Sequence, residues 1–466
     1  MLNILEADQK TTRRELLTVG GLGLGGLTLQ SLLAAQAHAA TSSGVVTGKS
    51  VIFLFQQGGP SQLETFDPKP EAPQGTRTVT DCVQTSLPGI SFGEALPQLA
   101  QLADKFSVVR SFQTGNAGHN IQPIVGPDSL QANIGTHYSR VVGATRSKTG
   151  MPTNAILFPQ AVDDEVVRGR ARGDLAATGD WGAAYAPFTP GGKGQLLQNM
   201  ELRLSREKFD DRRRLLAQLD DLNRLVEISR QVESAYEVQS QAYDVLLGGG
   251  IGRALDLSLE DAETLKRYDT SQYVRSHNWD RSNRGQRGYY TGQAKTIGKL
   301  LCLSRRLCEA GCGFVTVHAG YQGVWDMHAD RNNLNVVDGM QAVGYSFDHA
   351  VAALIQDIET RGLQDKIMLI ATGEMGRTPR INSRGGRDHW SRLAPLLIYN
   401  GSSKGGQVIG QSTRDGGEPA SNHLTPKNLI STILHNVFDI GQLRLQPDVP
   451  SQLLKLAEPE TIPGIV

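Results

Sequence analysis

The sequence predicts an α/β fold built on a mainly parallel central sheet. Five short apolar runs, rich in β-branched and aromatic residues, are typical of buried strands. They are Ser50–Phe55, Phe106–Phe112, Phe314–Ala319, Lys366–Thr372 and Ala394–Tyr399. Such continuous apolarity indicates strands covered on both faces, as in parallel sheets. Helical patterns at Gly298–Gly311 and Tyr345–Arg361 precede the third and fourth strands, and this alternation predicts a layered fold with right-handed crossovers.

The middle of the chain has a different character. Leu202–Leu247 is dense in charge, and its apolar residues recur at helical spacing at Leu215, Leu219, Leu222 and Val226. That pattern predicts an amphipathic helix or a helical hairpin, which three glycines at 248–250 would end. We therefore expect one domain spanning 40–466, with a helical insertion at about 199–250 packed on the sheet.

The first 39 residues carry the order of an export signal. Arg13 and Arg14 precede an uncharged, Gly- and Leu-rich stretch from Thr18 to Ala37, and Ala37-His38-Ala39 offers small residues for a peptidase. A buried helix or a membrane anchor is the alternative, but the glycines disfavour a stable span. The sequence thus predicts a twin-arginine signal peptide at 1–39. The chain would then use the twin-arginine export machinery and reside in the periplasm or outside the cell.

The amino-acid composition disfavours some classes of binding partner. The chain has 47 basic and 47 acidic side chains, hence no formal net charge, which argues against binding to nucleic acid or to anionic membranes. No segment after the signal is long and apolar enough for a stable membrane span. The 4 cysteines are too few for a disulfide scaffold, and buried thiols are the simpler interpretation.

Ligands of open parallel sheets bind beyond the carboxyl ends of the strands, so the residues after each strand are the candidates. Gln56–Lys69 follows the first strand and is rich in glycine and polar residues, which fits either a pocket or an ordinary turn. Gln113–Asn120 follows the second strand. There Thr114 is a candidate nucleophile if a base or metal activates it, and otherwise part of a polar loop.

Acidic and imidazole side chains follow the later strands and indicate a metal site. The candidate ligands are Asp326, His328, Glu374, Asp388 and His389. Arg377 and Arg387 could stabilise negative charge in a transition state. The alternatives are an Arg–Glu ion pair that shapes a loop, and histidines with a purely structural role. Three separate loops bearing such residues nevertheless favour a shared ion.

Several segments, in order along nearly the whole mature chain, carry a family resemblance. They are Gln57–Pro70, Asp210–Leu219, Ala254–Ser258, Arg305–Val317, Trp325–His328, Gly373–Pro379, Gly386–Trp390 and Lys404–Ser412. Through them the chain resembles the domain-of-unknown-function 1501 family, exported bacterial proteins placed near the alkaline phosphatase and sulfatase superfamily. The resemblance implies an alkaline-phosphatase-like layered fold.

The wider superfamily resemblance implies a two-metal site, from which this chain departs. Gln56 or Gln57 stands where the first strand normally ends in a metal-binding Asp, and Glu374-Met375 stands where an Asp-His pair is normal. Gln and Met are poor ligands for hard divalent ions. The resemblance thus leaves one ion, which could be zinc, manganese or calcium, held by Asp326, His328 and His389.

Two functions emerge as hypotheses. The first is an exported metal-dependent hydrolase of phosphate or sulfate esters, acting on a small molecule or a polysaccharide. The second is a non-catalytic exported protein that uses a degenerate phosphatase-like scaffold for binding or assembly. The strand-end cluster favours the first, and the lost ligands favour the second.

Overall fold

A computed structural model describes residues 44–146, 148–191, 250–274, 284–319 and 323–466. The predicted signal peptide at 1–39 and, apart from Gly250, the predicted insertion at about 199–250 lie outside the described residues. The strands and helices of the fold all belong to one compact unit, formed by Thr47–Arg203 and Arg230–Val466.

A seven-stranded sheet forms the centre of the fold. Its strands are β1 (Ser50–Phe55), β4 (Ser107–Val109), β5 (Asn154–Leu157), β6 (Phe314–His318), β7 (Ile367–Thr372), β10 (Leu396–Asn400) and β11 (Val408–Ile409). Their spatial order is β11-β4-β10-β7-β1-β6-β5. Every neighbouring pair is parallel except the two that include β10, so the prediction of a mainly parallel sheet is confirmed.

Among the described residues, three small antiparallel ladders lie outside the central sheet. They pair β2 (Cys82–Gln84) with β3 (Ser91–Gly93), β8 (Gly376–Arg377) with β9 (His389–Trp390), and β12 (Gln411–Ser412) with β13 (Pro419–Ser421). Both strands of the β8–β9 ladder lie in the connection from β7 to β10, so this ladder shapes the loop that leaves the carboxyl end of β7.

The helices are α1 (Pro97–Gln101), α2 (Ile134–Val142), α3 (Gly250–Leu255), α4 (Ala262–Arg267), α5 (Arg284–Glu309), α6 (Val336–Gly339), α7 (Tyr345–Thr360), α8 (Pro426–Val437), α9 (Ile440–Arg444) and α10 (Ser451–Leu456). A π-helical turn at Met340–Gly344 joins α6 to α7. Within the described ranges, no helix is both long and apolar enough to cross a bilayer.

Helices cover both faces of the sheet. Alternate residues of β1, Ile52 and Leu54, share one buried cluster with side chains of α5 and α7. Phe53 points to the opposite face, where its ring stacks on Phe314 at a centroid distance of 6.5 Å. Gly135 of α2 lies against Phe314. Burying each such side chain stabilises the fold by roughly 1.5–3 kcal/mol, which explains why every residue of β1 is apolar or small.

Strand prediction was good in the centre and poor at the edges. Ser50–Phe55 is a strand with the predicted bounds, whereas the second run forms a strand only over Ser107–Val109. The short strands β5 and β11 were missed. The run Ala394–Tyr399 forms β10, which is antiparallel to its neighbours. Its apolarity reflects burial on both faces, and burial does not fix the strand's direction.

Candidate metal centre

The connections that follow the parallel strands leave the sheet at the same edge. Phe55, the last residue of β1, pairs with His318 of β6 and Thr372 of β7. Leu396, the first residue of the antiparallel β10, pairs with both Thr372 and Val109 of β4. The chain therefore leaves β1, β4, β6 and β7, and enters β10, at one edge.

Side chains from three of these connections converge there. His119 follows β4, Asp326 and His328 follow β6, and His389 lies in β9 before β10. One ligand atom from each of the four lies within 4.8 Å of the others. His328 Nε2 is 2.8 Å from both Asp326 Oδ1 and His389 Nε2. His119 Nε2 is 3.0 Å from Asp326 Oδ2.

A carboxylate orients the imidazole of His119 from behind. His119 Nδ1 lies 2.9 Å from Glu374 Oε1, and the same carboxylate accepts the backbone N–H of Gly58 at 2.9 Å. Glu374 is fully buried. It therefore supports His119 on the side facing away from the cluster, which is the arrangement that fixes metal-binding histidines.

The same arrangement recurs at His328. Its Nδ1 is 3.2 Å from Asp388 Oδ1, while its Nε2 faces the cluster. Asn382 donates to the same Asp388 oxygen at 3.3 Å. Glu374 and Asp388, both predicted as ligands, thus each contact an imidazole of the group of four and are not themselves in that group.

Arg377 lies beside the cluster and is almost completely buried. Its Nη2 is 2.6 Å from Asp326 Oδ1 and also donates to the Gly58 carbonyl. Its Nε donates to the Gly59 carbonyl at 2.8 Å, and its Nη1 to the Arg387 carbonyl at 3.1 Å. Four of the five N–H groups of the guanidinium donate to these oxygens, and Nη1 also lies 3.5 Å from His328 Nε2, so Arg377 compensates the charge of Asp326 from a fixed position.

Two local features place these groups. Arg377 and His389 are register partners in the β8–β9 ladder, which holds them side by side. Gly58 has φ +120°, and a Cβ there would lie 2.7 Å from the backbone nitrogen of Trp325. Only glycine lets the turn after β1 approach the Asp326 loop this closely.

The surroundings alter the pKa values of the acidic groups and of His119. Burial would raise the pKa of Asp326, but hydrogen bonds with the three histidines outweigh it and hold that pKa well below its usual range. Burial would lower the pKa of His119, but hydrogen bonds to Asp326 and Glu374 outweigh it and raise the pKa to about 9. Burial raises the pKa of Glu374. Without a metal, His119 therefore holds a proton between two carboxyl groups.

Arg387 has a different setting from Arg377. It is fully buried and pairs with the equally buried Glu64, with Nη2 2.9 Å from Oε1. Its remaining N–H groups donate to the carbonyls of Arg77, Thr378 and Pro379. Arg387 therefore joins the β8–β9 connection to the loop after β1, and this geometry favours a supporting role over the predicted contact with substrate.

The residue that sequence reasoning missed is His119. It stands in the predicted loop Gln113–Asn120, in which Thr114 is the residue predicted to have a catalytic role. The Thr114 hydroxyl is buried and donates to the Asn116 carbonyl at 3.4 Å, and its role as nucleophile stays a prediction. A signal for His119 did exist, because it is the one imidazole in that loop.

The donor set fits a divalent metal. Two ligands at 2.0–2.1 Å from a tetrahedral ion lie roughly 3.3 Å apart, and the contacts between Nε2 atoms and Asp326 Oδ1 range from 2.8 to 3.5 Å. His328 Nε2 and His389 Nε2 lie 2.8 Å apart. Two imidazole nitrogens approach to about this distance when the lone pairs of both point at one metal ion.

A family model matches residues 48–443, and its description is protein of unknown function (DUF1501). The chain belongs to this family. No curated protein matches the DUF1501 chain. The match covers every side chain of the centre, so the centre lies within the family's own domain.

Solved structures resemble this DUF1501 protein only distantly. A sulfatase from Pseudoalteromonas sp. is 12% identical, with 88% of this chain and 72% of that chain covered and a TM-score of 0.34. A phosphonate monoester hydrolase from Silicibacter pomeroyi is 10% identical, with 83% and 73% covered and a TM-score of 0.34. Overlap at this level is too slight to bear on function, for which the centre itself supplies the grounds.

Proposed function

We propose that this chain is an exported hydrolase of phosphate or sulfate esters that uses one divalent ion held by His119, Asp326, His328 and His389. The observation that carries the proposal is the convergence of these four side chains at one sheet edge. Carboxylates behind two of the three imidazoles support it further, because such support turns a histidine into an oriented ligand.

The chemistry assigns separate tasks to the residues present. A divalent ion, when bound, supplies Lewis-acid polarisation of a phosphoryl or sulfuryl oxygen. Glu374 and Asp388 hold the tautomers of His119 and His328 so that each Nε2 carries a free lone pair. Arg377 limits the negative charge at Asp326. Thr114 remains the candidate nucleophile, and it needs a base to become reactive.

The ligand types discriminate among the candidate ions. Three of the four ligands are imidazoles, which suit zinc and other transition metals. Calcium takes six to eight oxygen ligands, and this centre offers a single carboxylate. We therefore propose zinc or manganese in preference to calcium.

The deciding experiment measures metal content and turnover together. Purified protein should contain a stoichiometric transition metal and should hydrolyse an aryl phosphate or an aryl sulfate. Asp326→Asn should lose both, while Asp81→Asn, at an exposed position, should keep both. Folded wild-type protein that binds none of the ions offered would refute the proposal.

A non-catalytic binding protein is the second candidate, and one observation favours it. At the ends of β1 and β7, Gln57 and Glu374 are engaged in hydrogen bonds within the protein, which leaves no second ion site for in-line chemistry among the described residues. Full metal occupancy without turnover on either ester would support this candidate.

Export rests on the twin arginines and has its own test. Changing Arg13 and Arg14 together to Lys should retain the protein in the cytoplasm, as seen by immunoblotting of cell fractions. The exposed Arg444→Lys serves as the control. Normal export of the double variant would contradict the twin-arginine route.

A further inference from the structure

Three arginines alternate along a short exposed stretch, Arg168–Arg172, here called the arginine segment. Its sequence is Arg-Gly-Arg-Ala-Arg, and Arg168, Arg170 and Arg172 are all exposed whereas Gly169 is buried. None of the three guanidinium groups makes a hydrogen bond or ion pair with another described residue. The segment therefore presents three cations to solvent, and none of them is ion-paired with a carboxylate in the described part of the chain.

The backbone of the arginine segment is fastened next to the candidate metal centre. The Arg172 N–H donates to Gln57 Oε1 at 2.9 Å. Gln57 Nε2 donates to the carbonyl of Asn120 at 2.6 Å and lies 3.5 Å from that of Arg172. Asn120 directly follows the ligand His119, so one glutamine side chain links the segment to the ligand loop.

A second contact holds the other half of the segment. The Gly169 N–H donates to Gln160 Oε1 at 3.2 Å, and its burial leaves Arg168 and Arg170 on either side pointing into solvent. Three acidic residues at 163–165 precede the segment and Asp174 follows it, but no ion pair joins a described carboxylate to the three arginines. The cations are thus presented from an anchored backbone.

We propose that the arginine segment is a subsite for a polyanionic chain, a polymer bearing several phosphate or sulfate groups. The inference rests on the proposed function and deepens it by naming the substrate class. Guanidinium groups bind phosphate and sulfate through paired N–H donors. Where the backbone is extended, alternate residues lie about 6–7 Å apart, a spacing that suits anions repeated along a polymer.

The arginine segment lies beside the loop that carries His119, and this position determines what the subsite would bind. An ester group of the polymer that reaches the centre leaves neighbouring anionic groups beside the loop carrying His119. Arginines there would hold the polymer in place without contacting the reacting group. The subsite should therefore strengthen binding of polymers and leave hydrolysis of a small monoester unchanged.

The test compares two triple variants of equal charge change. One replaces Arg168, Arg170 and Arg172 with Gln, and the control replaces the exposed Lys404, Arg444 and Lys455 with Gln. Dextran sulfate is the probe, titrated into metal-loaded protein at several salt concentrations. We expect the first variant to bind at least about tenfold more weakly, with a shallower salt dependence, and the control to bind nearly as wild type. Equal losses in the two variants would overturn the subsite.

Further arms separate this inference from the proposed function. Turnover of a small aryl ester should be the same in the first variant and in wild type, and a large loss would overturn the subsite as defined. If wild type turns over no ester but the difference in dextran sulfate binding remains, the hydrolase fails and the polyanion subsite stands. Vesicles of phosphatidylcholine and phosphatidylglycerol form the last arm, and arginine-dependent binding to them with none to dextran sulfate would overturn the polymer in favour of a membrane.

Discussion

Nδ1 of His119 lies 2.9 Å from Oε1 of Glu374, and this contact turns Nε2 toward the other ligands. Glu374→Gln preserves the volume but removes the charge that orients the imidazole. We expect metal affinity to fall about 10- to 100-fold, measured by competition with a chromogenic chelator. The exposed Glu263→Gln is the matched control, and an unchanged affinity in Glu374→Gln would remove the supporting role.

Substitution of Asp388 tests in the same way whether a carboxylate supports His328, and we expect a smaller effect on metal affinity. Its side chain is 59% exposed, so Asp388→Asn should fold normally while loosening His328. We expect about a tenfold lower metal affinity, seen as a smaller rise in melting temperature on adding zinc. Asp81→Asn should show the full rise, and so should Asp388→Asn if His328 needs no partner.

The proton on His119 should compete with the metal ion. The pKa of His119 is about 9 in the metal-free protein, so this histidine stabilises the metal-free fold below pH 6.5 and loses that effect as pH rises through about 9. Metal affinity should therefore increase from pH 7 to 9, and binding should release a proton. Calorimetry in buffers of different ionisation enthalpy measures the release, and identical heats would contradict it.

His137 predicts a second pH effect, away from the centre. Burial outweighs a hydrogen bond to the Ser129 carbonyl and lowers the pKa of His137 to about 4, while its Nδ1 accepts from Trp181 Nε1 at 3.0 Å. The unfolded chain therefore binds the extra proton between pH 6.5 and 4, and stability should drop by roughly 3 kcal/mol across that window. Urea unfolding should give a shallower pH slope in His137→Gln, and an equal slope would assign the loss to other groups.

The buried Arg387–Glu64 pair, in which both Nε and Nη2 of Arg387 donate to the Glu64 carboxylate, should matter more for stability than an exposed ion pair does. Arg387→Leu leaves Glu64 charged and unpaired, which should cost about 3–5 kcal/mol in the free energy of unfolding. Replacing both residues by Leu should recover much of that loss. Removing the exposed pair Arg392–Glu418 should cost at most about 1 kcal/mol. If the two pairs proved equally costly to break, burial would not be the cause.

Sequence reasoning located the edge of the sheet where the centre lies, but not every group in it. The strands β1, β6 and β7 are long and apolar, so the sequence predicts where they end. The loops that carry Asp326, His328 and Glu374 follow from those ends. His119 was not predicted as a ligand because the loop Gln113–Asn120 holds no Asp, Glu or second His, whereas the later loops carry such residues in pairs. Nine residues lie between Val109, the last residue of β4, and His119.

The role of each residue in the centre depends on interatomic distances, which the spacing of residues along the sequence does not predict. Asp388 and His389 are adjacent in sequence, yet His389 faces the other ligands while Asp388 supports His328 from outside. His389 is the first residue of β9, whereas Asp388 lies just outside that strand, and the two side chains reach opposite sides of the His328 imidazole. The sequence likewise predicts the same role for Arg377 and Arg387, whereas in the structure Arg377 contacts Asp326 and Arg387 pairs with Glu64.

The antiparallel direction of β10 has a consequence for how this domain can change. The connection between Thr372 and Leu396 leaves the sheet and rejoins it at the same edge, because those two residues are paired. Its tip, around Arg380–Gly385, can therefore lengthen or shorten without shifting any strand of the central sheet. Relatives of this protein can therefore vary the entrance to the centre in this segment, provided that Asn382 keeps its hydrogen bonds to Asp388 and to the His328 carbonyl.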